Sequence, residues 1–319
     1  MTFVEFLQTI SSDLVGLKNE SGSFYTTVIQ RMEHYESLLK DLPQNELEQY
    51  LSDSDALSRP TKRVFLNLIK DIDSLCIKIL QYQYKGNILY AAKLLQNLLI
   101  CASYTKDRLN DCYANFLMSD IKNKGTYYRC VDFEKGKRPT NCNHVPFNLR
   151  YMVASGRFNQ SGFPCLYLSG DKEILKRELG KPEEGKQRWC SLITNKKPLC
   201  LADLSIPSEK RINSMSSFEA IAFASFYPLL ILSYVKSDNK GYAFPEEYMF
   251  SQLFMHVLFL CKNDRMPKFH GIRYTSVHDR NCYNYIFPAC YEGDEPQLKG
   301  HSKVIDELFS FSAPEEMQD

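Results

Sequence analysis

The chain is 319 residues long, enough for a large core and for two domains. A net charge of +1 with 24% charged residues excludes a global basic field for nucleic acid or an anionic membrane, leaving only local patches for phosphate. The eleven cysteines are odd in number and scattered, so they outline no disulfide framework and fit free thiols in a reducing cytosol.

The first ten residues, MTFVEFLQTI, lack the basic region and small-residue cleavage site of a signal peptide, and the expected compartment is cytoplasmic. Residues 1 to about 120 are expected to be all helical. Phe3, Phe6, Leu7, Ile10, Leu14 and Leu17 recur at helical spacing, as do Tyr25, Val28, Met32 and Tyr35, then Val64, Leu68, Ile69, Ile72 and Leu75. Ile88 to Leu99 and Leu109 to Leu117 continue the pattern, with Pro43 and Pro60 as punctuation. Such apolar faces suit a regulatory or partner-binding bundle, or packing that shields or dimerises the rest.

Composition changes at Lys122-Asn123-Lys124-Gly125, and residues 121–319 are expected to form a second, catalytic domain. Short β-rich runs at Thr126–Phe133, Cys165–Leu168 and Leu199–Leu204 alternate with polar loops, of which Lys181–Arg188 is read as a charged surface loop. Ala220 to Val235 is 16 residues without a charge, short of the roughly 20 that span a bilayer, and reads as core. Tyr248–Leu260 reads as a helix, Gly271–Thr275 and Tyr285–Phe287 as closing strands, and Pro314–Asp319 as a frayed acidic tail. Strands and helices without a βαβ rhythm predict an α+β fold.

Within this half, Gly156 to Glu178 reads as turn, short buried strand, cap and helix. Tyr167 lies ten positions after Arg157, and Glu178 eleven positions after Tyr167. A Glu near Arg, Tyr and Ser suits a substrate with phosphate and a labile glycosidic bond. Arg offers a planar fork to phosphate oxygens, a carboxylate stabilises an oxocarbenium-like centre, and Tyr stacks on a base or bonds a ribose. No G-x-G-x-x-G or Walker loop is present, and His270, His278, Cys282 and Cys290 lack zinc-finger spacing, so neither a Rossmann site nor a metal is expected.

The pattern Arg157-Phe158-Asn159…Pro164-Cys165-Leu166-Tyr167-Leu168-Ser169, followed by Glu178, resembles the RES domain. Further blocks occur in the family's order: Tyr127-Tyr128-Arg129, His144-Val145-Pro146-Phe147, Gly271-Ile272-Arg273-Tyr274-Thr275-Ser276 and Asn284-Tyr285-Ile286-Phe287. The resemblance covers roughly Tyr127 to Pro288 and leaves the helical half outside it. It implies an ADP-ribosyltransferase-like β-sheet core and an enzyme that consumes NAD as substrate, with no cofactor. The nicotinamide–ribose bond would break by hydrolysis, or by phosphorolysis with inorganic phosphate as co-substrate.

Carried over residue by residue, the resemblance places Glu178, Arg157, Tyr167 and Ser276 in the catalytic set, and Arg129 and His144 on the substrate. Some members are toxins, which implies an antitoxin or regulatory protein as partner, with a homodimer also open and neither membrane nor nucleic acid expected. Two departures stand out: Ile174-Leu175-Lys176-Arg177 lacks the aromatic that often precedes the family's glutamate, and the helical half exceeds what a minimal toxin needs. An ADP-ribosyltransferase and a non-catalytic binding protein remain as alternatives.

Overall fold

The computed structural model describes residues 1–19, 22–54, 61–100, 118–121, 124–236, 245–261, 266–276, 278–291 and 293–317. The expected helical stretch Leu109–Leu117 lies outside them. The fold is α+β, in two compact units: Met1–Phe116 with Ile206–Pro267, and Leu117–Ser205 with Lys268–Asp319.

The first unit is built from helices α1 (Phe3–Leu14), α2 (Phe24–Asp41), α3 (Gln44–Ser54), α4 (Lys62–Tyr84) and α5 (Ile88–Ile100). To these the chain adds α7 (Glu209–Ile212), α8 (Ser217–Tyr234) and α9 (Met249–Leu260). Capping chemistry sets several starts. Thr2 and Glu5 form a reciprocal capping box on α1, and Ser216 and Glu219 form another on α8. The amphipathic helices α1, α2 and α4 bury one stripe each, and the predicted positions Phe3, Phe6, Leu7, Ile10, Val28, Met32 and Ile69 all lie in the core.

α8 behaves differently, because it is apolar all round. Every residue from Ala220 to Tyr234 is buried, so a helix long and apolar enough to cross a membrane is here the core of a helical unit. It also continues through Pro228. Proline has no N–H to give to the carbonyl four residues back, which is that of Ala224. That carbonyl instead accepts the hydroxyl of Tyr35 at 2.5 Å, and the Tyr35 ring packs on Tyr227 with centroids 4.6 Å apart. The buried backbone acceptor is satisfied from another helix.

The second unit is a curled mixed sheet. Its strands are β1 (Met118–Ile121), β2 (Thr126–Glu134), β3 (Cys165–Ser169), β4 (Lys186–Asn195), β5 (Leu199–Leu204), β6 (Gly271–Thr275), β7 (Tyr283–Pro288), β8 (Phe309–Phe311) and β9 (Glu315–Glu316). Among the described residues the order is β1-β5-β6-β7-β3-β2-β4-β8, with β9 also on β4. Among these strands only β5 and β6 run parallel. A parallel pair cannot be joined by a tight turn and needs a long crossover. Residues 206–267, including the core helix α8, are that crossover. This corrects the expectation that 121–319 forms one continuous domain.

Strand alternation gives the sheet two faces. On one, Tyr127, Leu166, Leu168, Ile193, Tyr285 and Phe287 pack with Ile305 and Leu308 of α10 (Lys303–Leu308) and with Phe309. The other face carries α6 (Lys172–Leu179), whose Leu175 packs with Cys130, Cys190, Tyr128 and Met317. Two expectations need correction here. The tail is not frayed at 315–317, since Glu315 and Glu316 pair with β4 and Met317 is buried. Lys181–Arg188 is not wholly a surface loop either: β4 begins at Lys186, and Arg188 is buried and forks onto Asp132 at 2.7 and 2.9 Å.

The Pro228 repair generates a prediction. Tyr35→Phe keeps the ring but orphans the buried Ala224 carbonyl, and should lower unfolding stability by about 1–3 kcal/mol in denaturant titration. A change within about 0.5 kcal/mol would mean that the carbonyl finds another donor.

Candidate functional site

The site begins where β3 turns into α6. Asp171 caps the helix, its Oδ1 accepting from the backbone N–H of Glu173 at 2.8 Å and of Ile174 at 2.9 Å. Gly180 closes it in a positive-φ conformation (φ 64) suited to a glycine, and its carbonyl accepts from Arg188 Nη1 at 2.5 Å. Glu178 thus sits in the last turn of a short helix pinned at both ends, while Glu173, the other carboxylate of this helix, is exposed in its first turn.

Three chain segments meet at the Glu178 carboxylate. Its Oε1 accepts from Ser276 Oγ at 2.5 Å and from Asn284 Nδ2 at 2.8 Å. Both donors are buried, and both are fixed by the sheet. Ser276 follows β6, its N–H donating to the Cys282 carbonyl at 2.9 Å and its Oγ accepting from the His278 N–H at 3.2 Å. Asn284 lies on β7, opposite both Tyr274 on β6 and Ser169 on β3. Oε1 is therefore saturated by two neutral donors, while Oε2 takes no hydrogen bond from the described residues.

Tyr167 projects from β3 on this same face, two positions from Ser169. Its hydroxyl donates to Asn159 Oδ1 at 2.7 Å and lies 3.4 Å from the Phe158 N–H. Asn159 in turn donates to the Ala154 carbonyl at 2.9 Å, and its own carbonyl accepts the Gly156 N–H at 2.9 Å. Gly156 has to be glycine. A Cβ there would stand 2.4 Å from Asn159 Oδ1 and 2.9 Å from the Tyr167 hydroxyl. This knot shapes the loop that carries the half-buried Arg157, and Phe158 next to it packs on Tyr274 with centroids 5.1 Å apart. Glu178, Ser276, Asn284, Tyr167 and the Arg157 loop accordingly share one side of the sheet.

Arg129 and His144 do not join them. Arg129 alternates with Tyr128 and Cys130, which face α6, so it points to the opposite face. There its Nε donates to the Asn143 carbonyl at 3.2 Å and its Nη1 to that of Tyr167 at 3.1 Å. Burial pulls its pKa down, against nearby Cys142. His144 is buried and bound through both ring nitrogens. Nε2 accepts the Ser302 N–H at 2.8 Å, which leaves Nδ1 as the donor to the Val145 carbonyl at 2.7 Å. Desolvation lowers its pKa to about 4, so the ring is neutral. His144 thereby pins its loop to Ser302, the cap of α10, and Arg129 cross-links two main-chain segments.

Sequence reasoning missed Asn284, Asn159 and Arg188 as site-building residues. Two of them left a signal. Asn is poorly suited to strands, and Asn284 in an otherwise apolar run needs a hydrogen-bond partner once buried. Asn159 stood inside the Arg157-Phe158-Asn159 triplet.

No family model matches the chain. Over 185 residues it is 25% identical to a protein of Bacillus subtilis (strain 168) described as "Putative toxin YopC", an alignment covering 54% of this chain and 41% of that protein. The chain therefore spans about two fifths of the length of the curated relative it matches. No solved structure matches it.

The His144 geometry fixes a pH dependence. The unfolded chain takes up a proton near the ordinary imidazole value of 6.5, whereas the folded chain refuses it down to about 4. His144 contributes its full stabilisation above pH 6.5 and loses it as pH falls towards 4, by up to about 3 kcal/mol. Nitrogen NMR of the imidazoles should find the Nδ1–H tautomer of His144 intact at pH 6. A protonated His144 at that pH would contradict the assignment.

Proposed function

We propose that the chain is a toxin-like enzyme of the RES type that cleaves the nicotinamide–ribose bond of NAD. The single observation that carries this reading is the Glu178 carboxylate. One oxygen is tied down by Ser276 and Asn284 while the other takes no hydrogen bond from the described residues, on the sheet face that holds Tyr167 and the Arg157 loop. The similarity to a protein described as a putative toxin supports the toxin-like part of it. The motif blocks in their order support the RES assignment and the choice of substrate.

In this mechanism Arg157 grips the anionic part of the dinucleotide, its planar fork matched to phosphate oxygens. Tyr167 holds the Arg157 loop through Asn159 and offers its ring to the substrate. Nicotinamide leaves as a neutral base with the bonding electron pair, and Oε2 of Glu178 stabilises the positive charge left on the ribosyl C1. Water or inorganic phosphate then attacks C1, and the attacking water's proton passes to solvent. Ser276 acts through Glu178: its hydroxyl hydrogen is directed at Oε1, so it orients the carboxylate rather than steering the nucleophile.

The direct test is to incubate purified protein with NAD, with and without phosphate, and identify products by mass. Release of nicotinamide with ADP-ribose, or with its 1-phosphate, supports the reading. ADP-ribose found covalently on a protein or nucleic acid would favour a transferase, and unchanged NAD a binding protein.

Two series of variants refine it. Glu178→Gln keeps volume but removes charge, and should lower kcat by roughly 100 to 1,000-fold in a folded protein. Asn284→Ala removes one donor to the carboxylate and should cost about 10 to 100-fold, mostly in kcat. Near-wild-type turnover in Glu178→Gln would sink the assignment. The arginines should part company: Arg157→Lys should raise KM, whereas Arg129→Lys should lower the melting temperature and leave KM nearly unchanged. Equal effects on KM would place both arginines on the substrate.

A further inference from the structure

β2 and β4 pair in register and set Cys130 directly opposite Cys190. Facing residues of antiparallel strands have Cα atoms about 4.5–5.5 Å apart, inside the roughly 4.4–6.8 Å that a disulfide spans. Both side chains lie on the α6 face. Both are free thiols, and they share one buried cluster with Met317, against which Tyr128 and Leu175 pack. Cys130 Sγ is also 3.6 Å from Met317 Sδ.

The surroundings distinguish the two sulfurs. The S–H of Cys130 holds the Cys190 thiol below its ordinary value, against burial, with Lys172 of α6 adding to the effect and Glu315 opposing it. The neighbouring Cys190 thiol and burial push Cys130 up. Cys190 is thus the readier thiolate and Cys130 its resolving partner. The pair sits where movement would be felt. Leu175 of α6 rests on it, and the next pair along the same face is Asp132–Arg188, whose arginine holds the Gly180 carbonyl at the end of α6. Its other cover is Met317, next to the two-residue strand β9, a small element to displace.

We propose that Cys130 and Cys190 form a reversible, peroxide-driven disulfide switch beneath α6. In the first step the Cys190 thiolate attacks one oxygen of hydrogen peroxide. The O–O bond breaks, sulfur is oxidised to sulfenic acid, and the departing hydroxide takes up a proton to leave as water. In the second, the Cys130 sulfur attacks that of Cys190. The S–O bond breaks, the hydroxyl leaves as a second water with the Cys130 proton, and the S–S bond forms. A dithiol reductant reverses the change by exchange. Closing the bond pulls two strands together under Leu175 and shifts α6, and with it Glu178. The effect on turnover rests on the reading of Glu178 given above; the disulfide itself does not.

The test treats the full chain with hydrogen peroxide, blocks remaining thiols, and maps peptides by mass. The expected product is a cross-linked peptide pair containing Cys130 and Cys190, lost on treatment with dithiothreitol. In Cys130→Ser the reaction should stop at a Cys190 sulfenic acid that dimedone traps. Two reduced thiols at these positions after other cysteines have oxidised, or over-oxidation of Cys190 with no cross-link in the wild type, would overturn the proposal. Amide hydrogen exchange over 172–180 reads the coupling. Several-fold faster exchange is expected in the cross-linked wild type but not in peroxide-treated Cys130→Ser, and unchanged exchange in fully cross-linked protein would overturn the link to α6. A cross-linked protein with altered α6 exchange, but no NAD cleavage in either redox state, would refute the enzymatic reading and leave the switch standing.

Discussion

An eight-residue helix is too short to persist on its own in water, and α6 has to be held from outside. Asp171 satisfies its first N–H groups, Arg188 takes the Gly180 carbonyl at its end, and Ile174 and Leu175 anchor its underside to the sheet. Glu178 inherits its position from these contacts. Arg188 is in turn fixed by its fork onto Asp132, so an ion pair with its arginine buried and its aspartate at the surface, and with no motif signature, stands behind the carboxylate. Removing Asp132 would take the carboxylate away from a buried guanidinium, and removing Arg188 would cost the helix end its tether.

The alternation of the strands then decides which residues can act together. Tyr167, Ser169 and Asn284 face α6, and the loop around Asn159 folds over the same side. Arg129 and His144 belong to the other side, tied to carbonyls and to the segment before α10. A set of motif residues that looks like one constellation along the chain is two sets in space. On the proposed function one set builds the chemistry, while the contacts of the other tie together the sheet that presents it. The long crossover between β5 and β6 serves that sheet as well, since a parallel neighbour for β5 requires it.

Much of this was legible in the residues. The strand at Cys165–Ser169, the Asp171 cap and the helix behind it follow from local chemistry: a short apolar run, a capping side chain and an amphipathic turn. Gly271–Thr275 and Leu199–Leu204 were read with their observed bounds, because apolar β-formers there are bracketed by polar turns. What failed was long-range. Whether Arg129 faces α6 depends on strand phase, which a single tyrosine-rich triplet does not reveal. That 206–267 joins the helical unit depends on tertiary packing, although the all-round apolar surface of α8 is the local trace of it. The tail misread has the same origin, since Glu315 and Glu316 look solvated until a strand edge is there to pair with them.

The central claim is that one face of the sheet, and not both, receives the substrate. Amide hydrogen exchange of Glu178→Gln protein with and without NAD tests it most directly, because the bound state would persist without turnover. The account predicts slower exchange in 156–163, in α6 and in 274–284, with 143–147 unchanged. Protection centred on 143–147, with the α6 face unaffected, would contradict it.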